Sequence, residues 1–337
     1  MSKPKSKTTE KVQTRAHLVS NGQGWKISLH QTWIAKELKP GRRPVLILPG
    51  YGMNSYIFSF HPRGLSLEGY LAQAGFEVWR ADLRAQGKSV STGGDSDYRI
   101  ADLAMTDLGV ALEAVIKKTK TRADQVDVIG CSLGGTFMLV HAVLNSRHKI
   151  GSMVAMGSPI KWVNVNPVVR AAFAWPMLVG AIRIKGTRRF AEWALPHLVR
   201  FVPWLLSIYL NPTITDTQAA REMVKTVEDP NHHINREIAE WIRDRDLTVR
   251  GVNVSDGLAR IRQPLLCVLA NSDGIVPRAT AEFAYKKVGS KSKRVLHVGT
   301  PRISVAHADL FISNEAHARV FAPIAAWLAE QKPVRNS

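Results

Sequence analysis

Residues 126–135 read Val126-Asp127-Val128-Ile129-Gly130-Cys131-Ser132-Leu133-Gly134-Gly135, an apolar run that breaks into a glycine-rich turn. The turn carries a G-x-S-x-G frame, and the chain continues with Phe137, Leu139, Val140 and Leu144 in helix-compatible spacing. Strand, tight turn and helix in that order hold a serine hydroxyl on a strained corner above the end of a sheet. Such a corner draws backbone segments together, so a side chain at Gly130, Gly134 or Gly135 would collide with the neighbouring strand or helix. Ser132 is therefore the candidate nucleophile.

Working outward, Val45-Leu46-Ile47-Leu48 is a continuous apolar run ending at Pro49-Gly50-Tyr51-Gly52, the pattern of a buried parallel strand feeding a loop. Leu65 to Gly75 and Ala101 to Lys118 read as helices. Strands are expected from Phe76, at Val126 to Ile129 and at Ile150 to Met156. Before them, His17-Leu18-Val19 and Trp25 to Trp33 flank Asn21-Gly22-Gln23-Gly24, a hairpin signal. Alternating strands and helices imply right-handed crossovers, and hence an α/β fold with a mainly parallel central sheet flanked by helices. The alternation stops at Lys161 and resumes with strands at Leu265 to Leu269 and Arg294 to Val298, followed by a closing helix from Glu315 to Ala329. The expected division is a basic flexible tail over 1–16, a core over 17–160 and 251–331, and an inserted helical cap over 161–250.

The 337 residues carry a net charge of +19, from 46 Lys and Arg against 27 Asp and Glu, which directs the chain toward anionic partners, phospholipid or nucleic acid. No nucleic-acid module accompanies the charge, so specific nucleic-acid binding is not expected. The two cysteines, Cys131 and Cys267, lack metal-ligand spacing, and neither a metal nor a cofactor is expected. Residues 1–16 lack an apolar signal core, and arginines interrupt the most hydrophobic stretches, so the expected location is cytoplasmic with peripheral membrane association open.

A serine hydroxyl needs a base to take its proton and a third group to fix that base's tautomer and orientation. In a sheet of this type the chain order is serine, acid, histidine. Asp273 follows the strand ending near Leu269, which places its carboxylate at the same sheet edge as Ser132; capping of the segment starting at Pro277 is its alternative role. His307 follows the last strand and is the expected base. His297 lies within that strand, His317 on the closing helix, and His197, His232 and His233 in the cap. Asp309 reads as an orienting or capping carboxylate. Backbone amides of Tyr51 and Leu133 are the expected oxyanion donors. The glycines around Tyr51 also suit a phosphate loop, but no Gly-x-x-x-x-Gly-Lys-Ser pattern is present.

With these segments assembled, the chain resembles the α/β-hydrolase superfamily from about Trp25 to Leu328. The resemblance rests on Leu48-Pro49-Gly50-Tyr51-Gly52, on Asp82-Leu83-Arg84-Ala85-Gln86-Gly87-Lys88-Ser89, on the serine turn, and on the Asp273 and His307 segments. The second of these is similar to a D-x-R-G-x-G-x-S signature with Ala85 for the first glycine and Gln86 where histidine is common. It implies structural roles for Asp82 and Arg84. Partial similarity to polyhydroxyalkanoate synthases and acid lipases covers Ser66 to Trp79 and the serine turn. The synthases carry cysteine at the turn's centre, whereas here Ser132 holds that position and Cys131 precedes it.

These features lead to the expectation of a serine hydrolase acting through an acyl-enzyme on carboxylic esters of lipid or medium to long acyl chains. Acyl transfer and thioester hydrolysis would use the same residues and stay open. A non-catalytic membrane-binding protein of the same fold is the alternative from another class. Trp162, Phe173, Trp175, Phe190, Trp193, Phe201, Trp204 and Tyr209 alternate with Arg170, Arg183, Lys185, Arg188, Arg189 and Arg200. That composition suits either a lid touching anionic membrane or a basic subdomain with an aromatic core of its own.

Overall fold

A computed structural model describes residues 12–182, 184–201, 206–216 and 222–331. Tail residues 1–11, Arg183, Trp204 and the Arg200 side chain lie outside the described residues. The strands are β1 (Gln13–Ser20), β2 (Trp25–Trp33), β3 (Val45–Leu48), β4 (Val78–Asp82), β5 (Val90–Ser91), β6 (Val126–Cys131), β7 (Ile150–Met156), β8 (Thr248–Val249), β9 (Val252–Asn253), β10 (Leu265–Ala270) and β11 (Lys293–Val298). Nine of them form one sheet in the order β1-β2-β4-β3-β6-β7-β10-β11, with β5 paired to β2. From β4 to β11 every neighbour is parallel, while β1, β2 and β5 make the antiparallel margin.

The apolar runs behave as strands covered on both faces. Leu46 and Leu48 of β3 point into one core with Val126 and Val128 of β6, while Val45 and Ile47 point into the other with Ile129 and Cys131. Helices α2 (Leu108–Lys118) and α3 (Leu133–Leu144) cover the first face. Helix α1 (Leu67–Gln73) covers the second, its first turn capped by the Ser66 hydroxyl, which accepts from the Gly69 amide at 3.1 Å. Cys131 and Cys267 lie in opposite cores and are both free thiols.

Between β7 and β10 the chain leaves the sheet. It forms α4 (Pro167–Ala172), α5 (Pro176–Ala181), α6 (Thr187–Phe201) and α7 (His232–Asp244), then the small β8–β9 hairpin. The closing helix α8 (Ala322–Glu330) is preceded by a wider π turn over His317–Phe321.

Two boundaries differ from the sequence reading. The first strand begins at Gln13 rather than His17, so residues 13–16, assigned above to the tail, pair with β2, Gln13 opposite Trp33. All four side chains are exposed, and those of Gln13, Thr14 and Arg15 are polar, which hides an edge strand held by backbone pairing from any hydrophobicity pattern. The helix expected from Ala101 starts as a π-helix over Asp102–Asp107 before α2.

Asp107 is fully buried at the end of that π segment. It accepts from the Arg84 guanidinium at 2.9 and 2.8 Å, from the Arg84 amide at 3.0 Å and from Asn21 Nδ2 at 2.7 Å. Asp82 accepts the amides of Ser55 at 2.8 Å and Lys88 at 3.1 Å, and Gly87 carries no Cβ because one would overlap the Asp82 carboxylate. Asp82 and Arg84 thus organise the loop behind β4. Removing one partner of a buried, hydrogen-bonded pair leaves an uncompensated charge, an effect of about 3–5 kcal/mol. Urea denaturation of Arg84→Ala should show a loss of that size, and a loss below about 1 kcal/mol would show that the pair does not hold this loop. At Gly134 an added Cβ would lie 2.5 Å from the carbonyl oxygens of Leu48 and Pro49. Gly134→Ala should therefore lower stability by about 1–3 kcal/mol in thermal unfolding, and unchanged stability would contradict the close approach.

Candidate active site

Ser132 joins β6 to α3 with φ 52° and ψ −124°, a left-handed conformation that a side-chain-bearing residue adopts only when its surroundings impose it. The surroundings do so from several sides. A Cβ on Gly130 would overlap Gly135, and one on Gly135 would overlap the Ser158 hydroxyl. The Ser132 amide donates to Met156 O at 2.8 Å, tying the corner to the end of β7. Cys131 is buried with its Sγ 3.8 Å from Met156 Sδ, and burial pushes its thiol well above the ordinary range. A thiol so placed is inert.

Asp273 and His307 come together past the ends of β10 and β11. His307 Nδ1 lies 2.6 Å from Asp273 Oδ2, and both side chains are buried. The other carboxylate oxygen, Oδ1, accepts the amides of Ile275 at 2.9 Å and Val276 at 2.8 Å. The helical turn at Arg278–Ala281 has Pro277 as its N-cap, so Asp273 closes its own tight turn and does not cap that helix. Fixing one oxygen on backbone donors leaves the other aimed at the imidazole.

Gly157 links this pair to the serine corner. It follows Met156, the acceptor of the Ser132 amide, and a Cβ on it would lie 3.0 Å from His307 Cε1 and 3.1 Å from Asp273 Oδ2. On the opposite side, a Cβ on Gly50 would lie 3.1 Å from Ser132 Cβ. Gly50 thus lies against Ser132 and Gly157 against the His307–Asp273 pair, with the loops after β3, β6, β7, β10 and β11 at one edge of the parallel sheet.

Leu133 is the first residue of α3, where amides have no partner within the helix. The Tyr51 amide likewise has no acceptor among the described residues. Gln86 is a contributor that the sequence showed only as a departure from a pattern. Its Oε1 accepts the Leu83 amide at 2.9 Å and its Nε2 donates to Gly50 O at 3.3 Å. In a trans peptide the carbonyl and the following N–H point in opposite directions, so this contact turns the Tyr51 N–H away from Gln86. Ala85 holds φ 57° where the resembling signature has glycine.

Two further residues brace this pair, and of them Tyr209 had no sequence signal for that place. Tyr209 stacks at a tilt 6.0 Å from His307, and burial together with the Asp273 and Asp309 carboxylates pushes its phenol up to about 12. Its carbonyl accepts the Ala308 amide at 2.7 Å, and Ile208 O accepts the Gly274 amide at 3.0 Å, so residues 208–209 clamp the acid and base loops together. Asp309 is buried and accepts from Thr215 Oγ1 at 2.7 Å, the Ala306 amide at 2.7 Å and the Asn211 amide at 3.0 Å. It braces the His307 loop, in keeping with the capping role expected for it. His297 is exposed on β11, and His317 Nε2 donates to Leu65 O at 2.7 Å.

The family model described as serine aminopeptidase, S33 (Hydrolase_4) matches residues 41–298. No match was found among curated proteins. Among solved structures, a soluble variant of the monoglyceride lipase of Saccharomyces cerevisiae superposes with a TM-score of 0.62 at 16% identity, covering 98% of each chain. An esterase from Rhodococcus sp. superposes with a TM-score of 0.62 at 15% identity, covering 95% of this chain and 99% of that one. An esterase from Exiguobacterium antarcticum gives a TM-score of 0.58 at 16% identity, covering 91% and 96%. At these identities the structures establish a shared fold, and the family match spans most of the sequence. The chain belongs to the serine aminopeptidase S33-like family of α/β hydrolases.

Proposed function

We propose that the protein is a serine esterase that cleaves carboxylic esters of lipid-like acyl chains. The observation that carries this reading is the buried 2.6 Å contact of Asp273 with His307 Nδ1 beside the strained Ser132 corner. With Nδ1 engaged by Asp273, the ring's Nε2 is the nitrogen left to accept a proton. Ser132 Oγ attacks the ester carbonyl as His307 takes its proton, and the amides of Tyr51 and Leu133 hold the oxyanion. His307 then protonates the leaving alcohol, giving an acyl-enzyme. Water, activated by the same imidazole, releases the acid and regenerates Ser132.

The lipid-like substrate is supported by the segment between β7 and β10. Trp162 packs inside against Trp241, but Trp175, Met177, Phe190, Trp193 and Phe201 are each about two-thirds exposed or more, from 65% to 80%. Exposure of these side chains favours the lid reading over a wholly internal aromatic core. Exposed apolar side chains in this number, with Arg170, Lys185 and Arg189 exposed on the same segment, suit a lid that meets lipid and an anionic membrane surface. No described helix is long and apolar enough to cross a membrane, so contact of this kind is peripheral.

Replacing Ser132 by Ala should lower kcat on p-nitrophenyl esters by about 10⁴-fold or more, and Asp273→Asn, which disturbs the imidazole tautomer, by a similar factor. Activity within about tenfold of the parent in either variant would overturn the assignment. Product analysis with added alcohol or thiol acceptors separates hydrolysis from acyl transfer: free acid as the dominant product is expected. For the lid, Phe190→Ser with Trp193→Ser should reduce co-sedimentation with anionic phosphatidylglycerol vesicles and turnover of long-chain esters while sparing p-nitrophenyl acetate. Unchanged vesicle binding and long-chain turnover would refute the membrane role.

A further inference from the structure

Away from the serine corner, Asp97, His232 and His233 present one ligand atom each within 4.8 Å of one another. Asp97 lies on the loop after β5, and the two histidines open α7. The cluster is built rather than incidental. Asn231 caps α7 by accepting the amides of His233 at 2.9 Å and Ile234 at 3.2 Å, and its Nδ2 donates to Ser96 O at 2.7 Å. One side chain thus fixes the histidine-bearing turn and the loop that carries Asp97. The two imidazoles lie 4.0 Å apart between centroids.

The decisive feature is His233 Nε2. The Nε2 atom is shielded from solvent although the side chain is 33% exposed, and it lies 3.0 Å from Asp97 Oδ1, with which it pairs without meeting the angle of a hydrogen bond. Ligand atoms about 2.0–2.1 Å from a tetrahedral zinc ion are about 3.3 Å apart, so an N···O contact near 3 Å is a separation that two ligands of one ion adopt. Neutral imidazole and carboxylate are the ligand types of zinc and its first-row neighbours. The Asp97 charge also offsets the positive end of α7, which would otherwise disfavour a cation.

We propose that Asp97, His232 and His233 form a site for a divalent transition-metal ion of the zinc class, with solvent completing the coordination. The ion fastens the start of α7 to the loop after β5. The same turn carries Asn231 O, which accepts the Tyr51 hydroxyl at 2.6 Å, so the fastening extends to the loop beside Ser132. The site adds a metal to a chain whose cysteine pattern gave no reason to expect one, and it stands independently of the reaction proposed above.

The test is zinc binding to the full chain after chelator treatment, followed by calorimetry with zinc chloride and by thermal unfolding with and without the ion. One zinc per chain and a raised Tm are expected. His233→Ala and, separately, Asp97→Ala should each weaken binding by about tenfold or more and abolish the Tm shift. His317→Ala, which alters the His61–His317 pair whose rings lie 4.3 Å apart, should leave both unchanged. Absence of stoichiometric binding, or binding that survives both Asp97→Ala and His233→Ala, would overturn the proposal. Asp97 lies on an exposed loop, so its variant keeps the test decisive should the histidine variant fold poorly.

Discussion

The turn at 130–135 packs backbone against backbone, and the remaining geometry of the site follows from that contact. Gly134 leaves no room for a Cβ against the carbonyls of Leu48 and Pro49, and Gly130 and Gly135 touch each other. Because the end of β3 and the start of α3 are held this closely, Ser132 must take a left-handed conformation to connect them. The strain is local. Its compensation is distributed over two apolar cores on either side of the sheet, which fix β3, β6 and β7 in parallel register.

The same contact sets what can surround the serine. Parallel strands end at a common edge, so loops after β3, β6, β7, β10 and β11 converge there, and each contributes one element: Tyr51, Ser132, Gly157, Asp273 and His307. Convergence alone would leave these loops loosely held. Buried polar contacts hold them, with Asp309 gathering the amides of Asn211 and Ala306, and Gln86 gripping Gly50 O. The Asp309 carboxylate and the Gln86 amide thus find partners within a low-dielectric interior, where leaving them unpaired would be expensive.

Much of this was legible in the sequence, and the reason is physical. Buried parallel strands need continuous apolar runs, and the tight corner needs glycine at fixed offsets, so Val45–Leu48, Val126–Ile129 and the glycines around Ser132 carried both fold and candidate nucleophile. Asp273 and His307 were readable because chain order constrains them once the sheet is assumed. Contacts made by side chains remote in sequence were not readable. Tyr209 reaches His307 from the segment between β7 and β10, and Gln86 acts through a peptide carbonyl 36 positions away. The start of the edge strand at Gln13 was hidden because it is held by backbone pairing with β2 and Gln13, Thr14 and Arg15 are polar and exposed. The exposure of Trp175, Phe190 and Trp193 likewise depends on how helices are placed, which aromatic content alone leaves open.

We propose that the strained Ser132 is the group that attacks substrate. Its most direct measurement is reaction of the purified chain with a fluorophosphonate, followed by intact mass and peptide mapping. A single adduct per chain is expected, located on Ser132 and prevented by prior occupancy with an ester-like inhibitor. An adduct on another serine, or none under conditions where ester turnover is observed, would contradict it.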